Sequence, residues 1–321
     1  MFWKRKPKKK DGQEATDSAV EEREAAKDSE EEAAGAESED TEETTDGVEE
    51  TGAEETGAEE TGAEETGADG DASDEDTDDA ESAEGGKSEA KDAEGEGPAD
   101  VFADDAEEPG VTGPDGEGIT RVRTSGSFEF DGQTYEIVSN TWIVEADDEG
   151  VVVIDPGHDP EAILKAVGDR EIYLVACTNG YTPHIEGALR VAEESEADIA
   201  LHPREMRAWR RHHGAEHRPE VEVEGQGAFD IGDLHIDVLA LPGTSPGTVG
   251  YYISQLGVVF SGDTLRKGEP GMVGDTYIDY TTQLASIGEA LLSLPPATRI
   301  LPDRGPATTS GAESKNFDDW V

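Results

Sequence analysis

The sequence of 321 residues is short of cysteine and has no long apolar run. Its one cysteine, Cys177, excludes an internal disulfide and is typical of proteins in a reducing compartment. No stretch has the length and apolar composition of a membrane span or of a secretory signal. The sequence therefore predicts a cytoplasmic protein.

Positive charge is also scarce, and its distribution divides the chain into three parts. The whole sequence has 25 Lys and Arg against 78 Asp and Glu, which gives a formal net charge of −53. Residues 1–10 form a basic N-terminal segment, MFWKRKPKKK. Residues 11–118 are predicted to be a disordered, acidic, low-complexity region, and residues 119–321 to be a folded domain.

The acidic region has too few apolar side chains to bury a core. Its five-residue unit ETGAE occurs four times from Glu50 to Asp69, with Asp in place of the last Glu. We interpret the region as a solubilising spacer, with masking of a basic partner or folding back on the basic start as the alternatives. The basic segment is interpreted as a solubilising terminus, with contact to an anionic membrane or to nucleic acid as the alternative. Removal of residues up to about 110 is expected to leave folding intact.

The part predicted to fold is acidic as well, with only three lysines after residue 110. This charge argues against nucleic acid as a partner of the folded domain and suits a salt-rich cytoplasm. Short β-type runs alternate with amphipathic segments, for example the strand Ile172–Ala176 before a helix from His184 to Glu194. Strands in two groups, each followed by helices, predict an α/β (α+β) domain in which helices cover both outer faces of two mixed sheets.

Several motifs occur in an order that resembles a known family. They are Asn140-Thr-Trp142, Ile154-Asp-Pro-Gly157, the turn Thr178 to His184, Leu241-Pro-Gly-Thr-Ser-Pro-Gly-Thr248, Ser261-Gly-Asp-Thr-Leu265 and Leu301-Pro-Asp-Arg-Gly-Pro306. In outline these motifs resemble those of the metallo-β-lactamase superfamily, and within it the compact hydrolases of the glyoxalase II type. The resemblance implies a metallo-β-lactamase-like αββα sandwich, here preceded by the long disordered acidic tail.

In that family the turn reads Thr-His-x-His-x-Asp-His, and it holds two zinc ions together with two further His and a bridging Asp. The resemblance places Asn179, Tyr181 and Thr244 at the first zinc, Pro183, His184 and Arg304 at the second, and Asp263 at the bridging position. Only His184 and Asp263 remain of the family's ligands. A catalytic zinc needs three protein ligands and an open position for water, so the sequence predicts no metal site of that kind.

The loss of two cations raises the question of what neutralises Asp263. A buried carboxylate without a metal has to be protonated, hydrogen-bonded or paired with a cation. Arg304 carries a permanent charge and a planar fork that matches a carboxylate. We therefore predict that Arg304 pairs with Asp263, while Asn179, Tyr181 and Thr244 fill the remaining ligand space.

The remaining histidines and the cysteine offer few substitutes for the lost ligands. His158 and His202 follow predicted strands and are interpreted as capping or packing residues. Cys177 is interpreted as a small buried residue, with a nucleophile activated by His184 as the alternative.

Two functions are compatible with the motifs and the missing ligands. The first is a non-catalytic binding protein, or pseudoenzyme, without a cofactor. Its cleft would take a small anionic ligand or a protein partner, and it would be lined by Asn179, Tyr181, Thr244, Asp263 and Arg304. The alternative is a residual hydrolase of thioesters, lactones or related esters, with zinc as its cofactor. The resemblance alone leaves the choice between enzyme and pseudoenzyme open.

Overall fold

The computed structural model describes residues 100–321. The basic segment and nearly all of the acidic region lie outside this range. Seven strands of the range build the first sheet, in which they follow the order of the chain. They are Gly110–Thr112 (β1), Ile119–Phe130 (β2), Gln133–Glu145 (β3), Gly150–Ile154 (β4), Glu171–Ala176 (β5), Asp198–Leu201 (β6) and Val221–Glu222 (β7). The first four strands pair antiparallel, and β4 to β7 pair parallel.

The following strands supply a second sheet and a short ribbon. They are Ala228–Ile231 (β8), Leu234–Ala240 (β9), Val249–Ile253 (β10), Val258–Gly262 (β11), Leu265–Arg266 (β12), Glu269–Pro270 (β13), Arg299–Pro302 (β14) and Thr308–Thr309 (β15). The second sheet has the order β15-β14-β11-β10-β9-β8, and β12 pairs only with β13. Within this sheet β11 and β14 run parallel, so their carboxyl ends lie at the same edge.

Helices cover the outer faces of both sheets. They are Pro160–Val167 (α1), Thr182–Ile185 (α2), Ala188–Ser195 (α3), Met206–His213 (α4), Tyr280–Ser286 (α5) and Ser310–Glu313 (α6), and a π-helical turn at Ile287–Leu291 continues α5. No helix in the described range is both long and apolar enough to cross a membrane.

The apolar side chains form three layers of core, as the alternation of strand residues requires. In β4, Val152 and Ile154 join the central core between the sheets, while Val151 and Val153 pack under α1 and α3. A third cluster lies between the second sheet and the π-helical turn. These layers are the predicted αββα sandwich.

One predicted helix is divided in two. The segment from His184 to Glu194 was expected to be continuous, but α2 ends before Gly187 and α3 begins after it. A Cβ at Gly187 would lie 2.7 Å from the carbonyl oxygen of Gly157. The break therefore lets the chain pack directly on the turn that follows β4.

The folded unit includes residues ahead of the predicted boundary at 119. Phe102 is fully buried, and its ring lies edge-on to Trp142 at a centroid distance of 5.2 Å. Asp100 pairs with Arg299 at 2.8 Å, and β1 adds a strand to the sheet. Asp100, Asp104 and Asp115 pair with arginines of the domain, and composition alone does not reveal these ion pairs.

Candidate functional site

The candidate site lies where several strands end at one edge of the sandwich. Asp155 follows β4, the turn from Thr178 follows β5, Asp263 follows β11, and Asp303 follows β14. The loop between β9 and β10 brings Thr244 to the same place. Because β4 and β5 are parallel, as are β11 and β14, their carboxyl ends meet there.

Asp263 lies at the centre of the site and is hydrogen-bonded by residues that stand at the family's ligand positions. The side-chain amide of Asn179 donates to Asp263 Oδ1 at 2.9 Å, and the hydroxyl of Thr244 donates to the same oxygen at 2.6 Å. The hydroxyl of Tyr181 donates to the carbonyl of Thr244 at 2.9 Å. Asn179, Tyr181 and Thr244 thus form one chain of hydrogen bonds that ends at Asp263.

These residues are enclosed. Asn179, Thr244 and Asp263 expose 0%, 1% and 3% of their surface. Two phenylalanines from the β2–β3 hairpin, Phe128 and Phe130, contact the ring of Tyr181 edge-on at centroid distances of 5.9 and 6.1 Å. A ligand could reach Asp263 from this side only after the aromatic side chains had moved.

His184 links Asp263 to a second carboxylate. Its Nδ1 lies 3.0 Å from Oδ2 of Asp155, and its Nε2 lies 3.8 Å from Oδ2 of Asp263. The backbone N–H and hydroxyl of Thr178 also donate to Asp155, at 2.7 and 2.8 Å. Burial opposes protonation of His184, but Asp155, Asp263 and the more distant Asp303 outweigh it and raise the pKa of His184 to about 9.

The predicted pairing of Arg304 with Asp263 is wrong. The Nε of Arg304 donates instead to Oδ2 of Asp303 at 3.1 Å, and an NH₂ group donates to the carbonyl of Met272 at 3.2 Å. Asp303 also accepts from Arg266 at 3.1 Å. The guanidinium of Arg304 therefore pairs with Asp303 and not with Asp263.

The ionised groups therefore alternate in sign across the site. They are Asp155, His184, Asp263, Arg266, Asp303 and Arg304. Burial would raise the pKa of Asp303, but Arg266, Arg304 and His184 lower it to about 2. Burial raises the pKa of Asp263 despite the opposing effect of His184.

A buried glutamate joins the two loops that carry the replaced ligands. Glu205 accepts from the N–H of Gly180 at 3.2 Å, from the N–H of Gly247 at 2.8 Å, and from the hydroxyl of Ser245. A Cβ at Gly180 or Gly247 would lie 2.9 or 2.6 Å from a carboxylate oxygen of Glu205. A side chain at either glycine would therefore displace this carboxylate.

The other candidate residues have local roles. His202 accepts from the N–H of Arg204 at 3.0 Å and so caps the turn before α4, while His158 pairs with Glu186 at 2.7 Å. Cys177 is fully buried, and burial raises the pKa of its thiol well above the usual value. A thiol of this kind is a weak nucleophile.

The donor set does not fit a zinc ion of the family's kind. In the described range no group of three or more His, Cys, Asp and Glu side chains is arranged to hold a metal. At the family positions one oxygen of Asp263 already accepts from Asn179 and Thr244. The guanidinium of Arg266 carries a fixed positive charge that acts to lower the pKa of Asp263. The same charge would repel a metal cation at this position. We therefore derive no chemical step through a metal.

Four residues of the site were not predicted from the sequence to belong to it: Asp155, Glu205, Arg266 and Asp303. Two of them had a signal, because Asp303 replaces a glycine of the family's motif and Arg266 directly follows Gly-Asp-Thr-Leu. An acidic residue, Asp303, and a basic residue, Arg266, at two motifs that lie close together could have been predicted to form an ion pair. Glu205 had no comparable signal, since it lies outside every motif.

Comparisons with known proteins agree with this architecture. A sequence profile of the metallo-beta-lactamase superfamily matches residues 134–303. The chain is 31% identical over 185 residues to a probable metallo-hydrolase, YqgX, of Bacillus subtilis (strain 168), which covers 54% of this chain and 87% of that protein. It is 24% identical over 191 residues to the hydroxyacylglutathione hydrolase GloC of Haemophilus influenzae, covering 55% and 90%.

A solved structure is similar over the same region. The B3 metallo-beta-lactamase BLEG-1 matches with a TM-score of 0.52 and 26% identity, over 62% of this chain and 100% of that chain. The superfamily profile spans more than half of the 321 residues. The chain belongs to the metallo-β-lactamase superfamily.

Proposed function

We propose that this chain is a non-catalytic member of its superfamily, in which a network of protein charges and hydrogen bonds replaces the metal centre. The observation that carries the proposal is the engagement of Asp263. This carboxylate accepts from Asn179 and Thr244 at 2.9 and 2.6 Å, and both donors stand at former ligand positions. In the family, the residues at these positions and the bridging carboxylate are ligands of the same metal. Here Asn179 and Thr244 donate directly to Asp263, and this contact takes the place of the metal.

The burial of the network supports the same conclusion. Removing water from a carboxylate is costly unless it is paired, and here each carboxylate of the network has a cation or several donors beside it. Substrate activation by the family's route needs a water molecule held by a metal with an open position. Here two protein donors engage Oδ1 of Asp263 instead. The function of the protein would then be binding through its outer surface.

Metal-dependent hydrolysis of a thioester or a related ester is the second candidate. His184 keeps a carboxylate partner, Asp155, at 3.0 Å, which is the arrangement that orients a ligating histidine in metal sites. One relative is named a hydroxyacylglutathione hydrolase, which makes a hydroxyacyl thioester of glutathione the natural substrate to assay.

An activity assay on the full chain separates the two candidates. We expect no hydrolysis of S-lactoylglutathione above buffer after incubation with zinc, iron or manganese. The matched control restores the family's ligands in the same scaffold by Asn179→His, Tyr181→His, Pro183→Asp, Thr244→His and Arg304→His, and metal content is measured for both proteins. Turnover by the unaltered chain that disappears in Asp263→Ala would overturn the proposal and establish the hydrolase.

A further inference from the structure

The arginines of residues 100–321 fall into two groups according to their partners. Outside the segment 204–218 each one pairs with a carboxylate: Arg121, Arg123, Arg170, Arg190, Arg266, Arg299 and Arg304. The segment holds five more. Of these only Arg218 has a carboxylate partner within the described range, Glu222 at 2.6 Å. The chain has 78 acidic residues and so has ample means to pair the rest.

Three of these arginines lie at intervals of three residues. Arg204 belongs to the 3₁₀ turn Pro203–Glu205, and Arg207 and Arg210 belong to α4. Residues three apart are neighbours on a helix surface, so the three exposed guanidinium groups share one face. Together with Arg218 and its ion-pair partner Glu222 they line a groove of about 440 Å³, whose lining also includes Pro203 and Met206. We call this the arginine groove.

The helix itself explains only part of this pattern. A cation near the carboxyl end of a helix is stabilised by the helix dipole, which accounts for Arg210 in the last turn of α4. Arg204 and Arg207 lie at the amino end, where the dipole opposes a positive charge. The three guanidinium groups also repel one another. A local structural role therefore does not explain the groove, whereas an external anion would relieve both effects.

We propose that the arginine groove binds a small ligand that carries phosphate groups, with Arg204, Arg207 and Arg210 as its anchors. The planar fork of a guanidinium donates two parallel hydrogen bonds to a phosphate, and each phosphate group carries enough charge to engage more than one arginine. A volume of this size suits a small molecule. Pro203 and Met206 offer apolar contact to the part of the ligand that carries no charge.

A compact anion fits this surface better than a long one. After residue 110 the chain has 36 acidic and 15 basic residues, so a polyanion that extended beyond the groove would lie on negative charge. The lining of the groove does not include Asp263 or its donors Asn179 and Thr244, and the proposal does not depend on whether Asp263 is catalytic. The sequence predicts a small anionic ligand in the cleft at Asp263, whereas this proposal places an anionic ligand in the arginine groove.

Calorimetric titration of the full chain with inorganic triphosphate tests the proposal. The variant is Arg207→Ser with Arg210→Ser. The matched control is Lys165→Ser with Lys315→Ser, which removes two positive charges from exposed positions outside the groove. Thermal unfolding of all three proteins verifies that they fold.

We expect saturable binding of triphosphate by the unaltered chain and by the control, with affinities within about twofold. The groove variant should bind about 100-fold more weakly, because each guanidinium lost weakens a charge-assisted contact by about tenfold. ATP should compete with triphosphate. Absence of binding to the unaltered chain, or equal loss in the control, would overturn the proposal. Citrate binding as tight as triphosphate would overturn the assignment to phosphate, and RNA binding that triphosphate does not displace would replace it with a nucleic-acid site.

Discussion

Four acidic residues of the site are buried far beyond what is usual for carboxylates. Asp155, Asp263, Asp303 and Glu205 expose 2%, 3%, 2% and 5% of their surface. Each is tolerated because its oxygens accept several donors or face a cation. The cost of removing a single partner is therefore high, since the remaining charge is left buried.

Because His184 is charged in the folded state, the stability of the protein should fall as the pH becomes alkaline. Its pKa rises from the model-peptide value of 6.5 to about 9 in the folded state. A raised pKa stabilises the fold fully below pH 6.5, and this stabilisation is lost as the pH rises through 9. The difference corresponds to about 3 kcal/mol.

Urea unfolding between pH 6.5 and pH 9.5 measures this dependence. We expect the free energy of unfolding to fall across the range in the unaltered chain and to stay nearly level in His184→Gln, which carries no titrating group at this position. A level profile in the unaltered chain would mean that His184 is neutral in the folded protein.

Glu205 provides a second test at the scale of one residue. In Glu205→Gln one carboxylate oxygen becomes an NH₂ group that faces the N–H donors of Gly180 or Gly247. We expect a loss of about 3 kcal/mol in the free energy of unfolding. Glu224→Gln, at an exposed position, is the matched control and should change stability by less than about 0.5 kcal/mol. Equal effects of the two substitutions would show that Glu205 does not hold the loops together.

The sequence could identify the residues at the family's positions but not their partners. Asn179, Tyr181, Thr244 and Asp263 lie together because motif order fixes which strand ends meet. The pairing of Arg304 failed as a prediction because two carboxylates and two guanidinium groups lie close together, and motif position does not decide which of them pair. Only the directions of the side chains assign Arg304 to Asp303.

At the scale of whole elements, the segment before β2 is part of the folded unit. Phe102 is enclosed by Trp142, and the guanidinium groups of Arg121 and Arg299 lie over its ring at 5.5 and 5.3 Å. We expect Phe102→Ala to lower the free energy of unfolding by about 3–5 kcal/mol, as for other large buried aromatic residues.

Val111→Ala is the control for this substitution, because Val111 exposes 58% of its surface in the same segment. Its effect should stay below about 0.5 kcal/mol in urea unfolding. By the same argument, a truncation that removes residues up to 110 should destabilise the domain, contrary to the expectation from composition. An unchanged transition in Phe102→Ala would contradict this assignment.

The secondary structure was predicted best where both faces of an element are buried. The strand predicted at Ile172–Ala176 corresponds to β5 within one residue. The edge strands β1 and β7 were not predicted, because their residues lack the apolar alternation on which the prediction depends, and β2, which lies between β1 and β3, was not predicted either. The break at Gly187 depends on a contact with Gly157 and so is not encoded locally.

At the scale of the whole molecule, the proposed network predicts stability without metal. Only His184 and Asp263 remain at the family's ligand positions, so we expect zinc to bind no more tightly than about micromolar. The thermal midpoint of the full chain should be the same with and without a chelator. His184→Ala should show no additional response to chelation. Nanomolar zinc binding in calorimetry, or a midpoint lowered by chelation, would contradict the prediction.

The paired charges of the site should respond to the salt concentration differently from the exposed charges of the protein. The chain carries a net charge of −53, so its exposed carboxylates repel one another, and salt shields them over a Debye length of about 10 Å at 0.1 M. The buried pairs exclude water, and Asp155 and His184 are only 3.0 Å apart, so mobile ions hardly weaken them. Lowering the ionic strength should therefore destabilise the domain through its exposed carboxylates, while the buried pairs at the carboxyl edge of both sheets contribute nearly the same stability at every salt concentration.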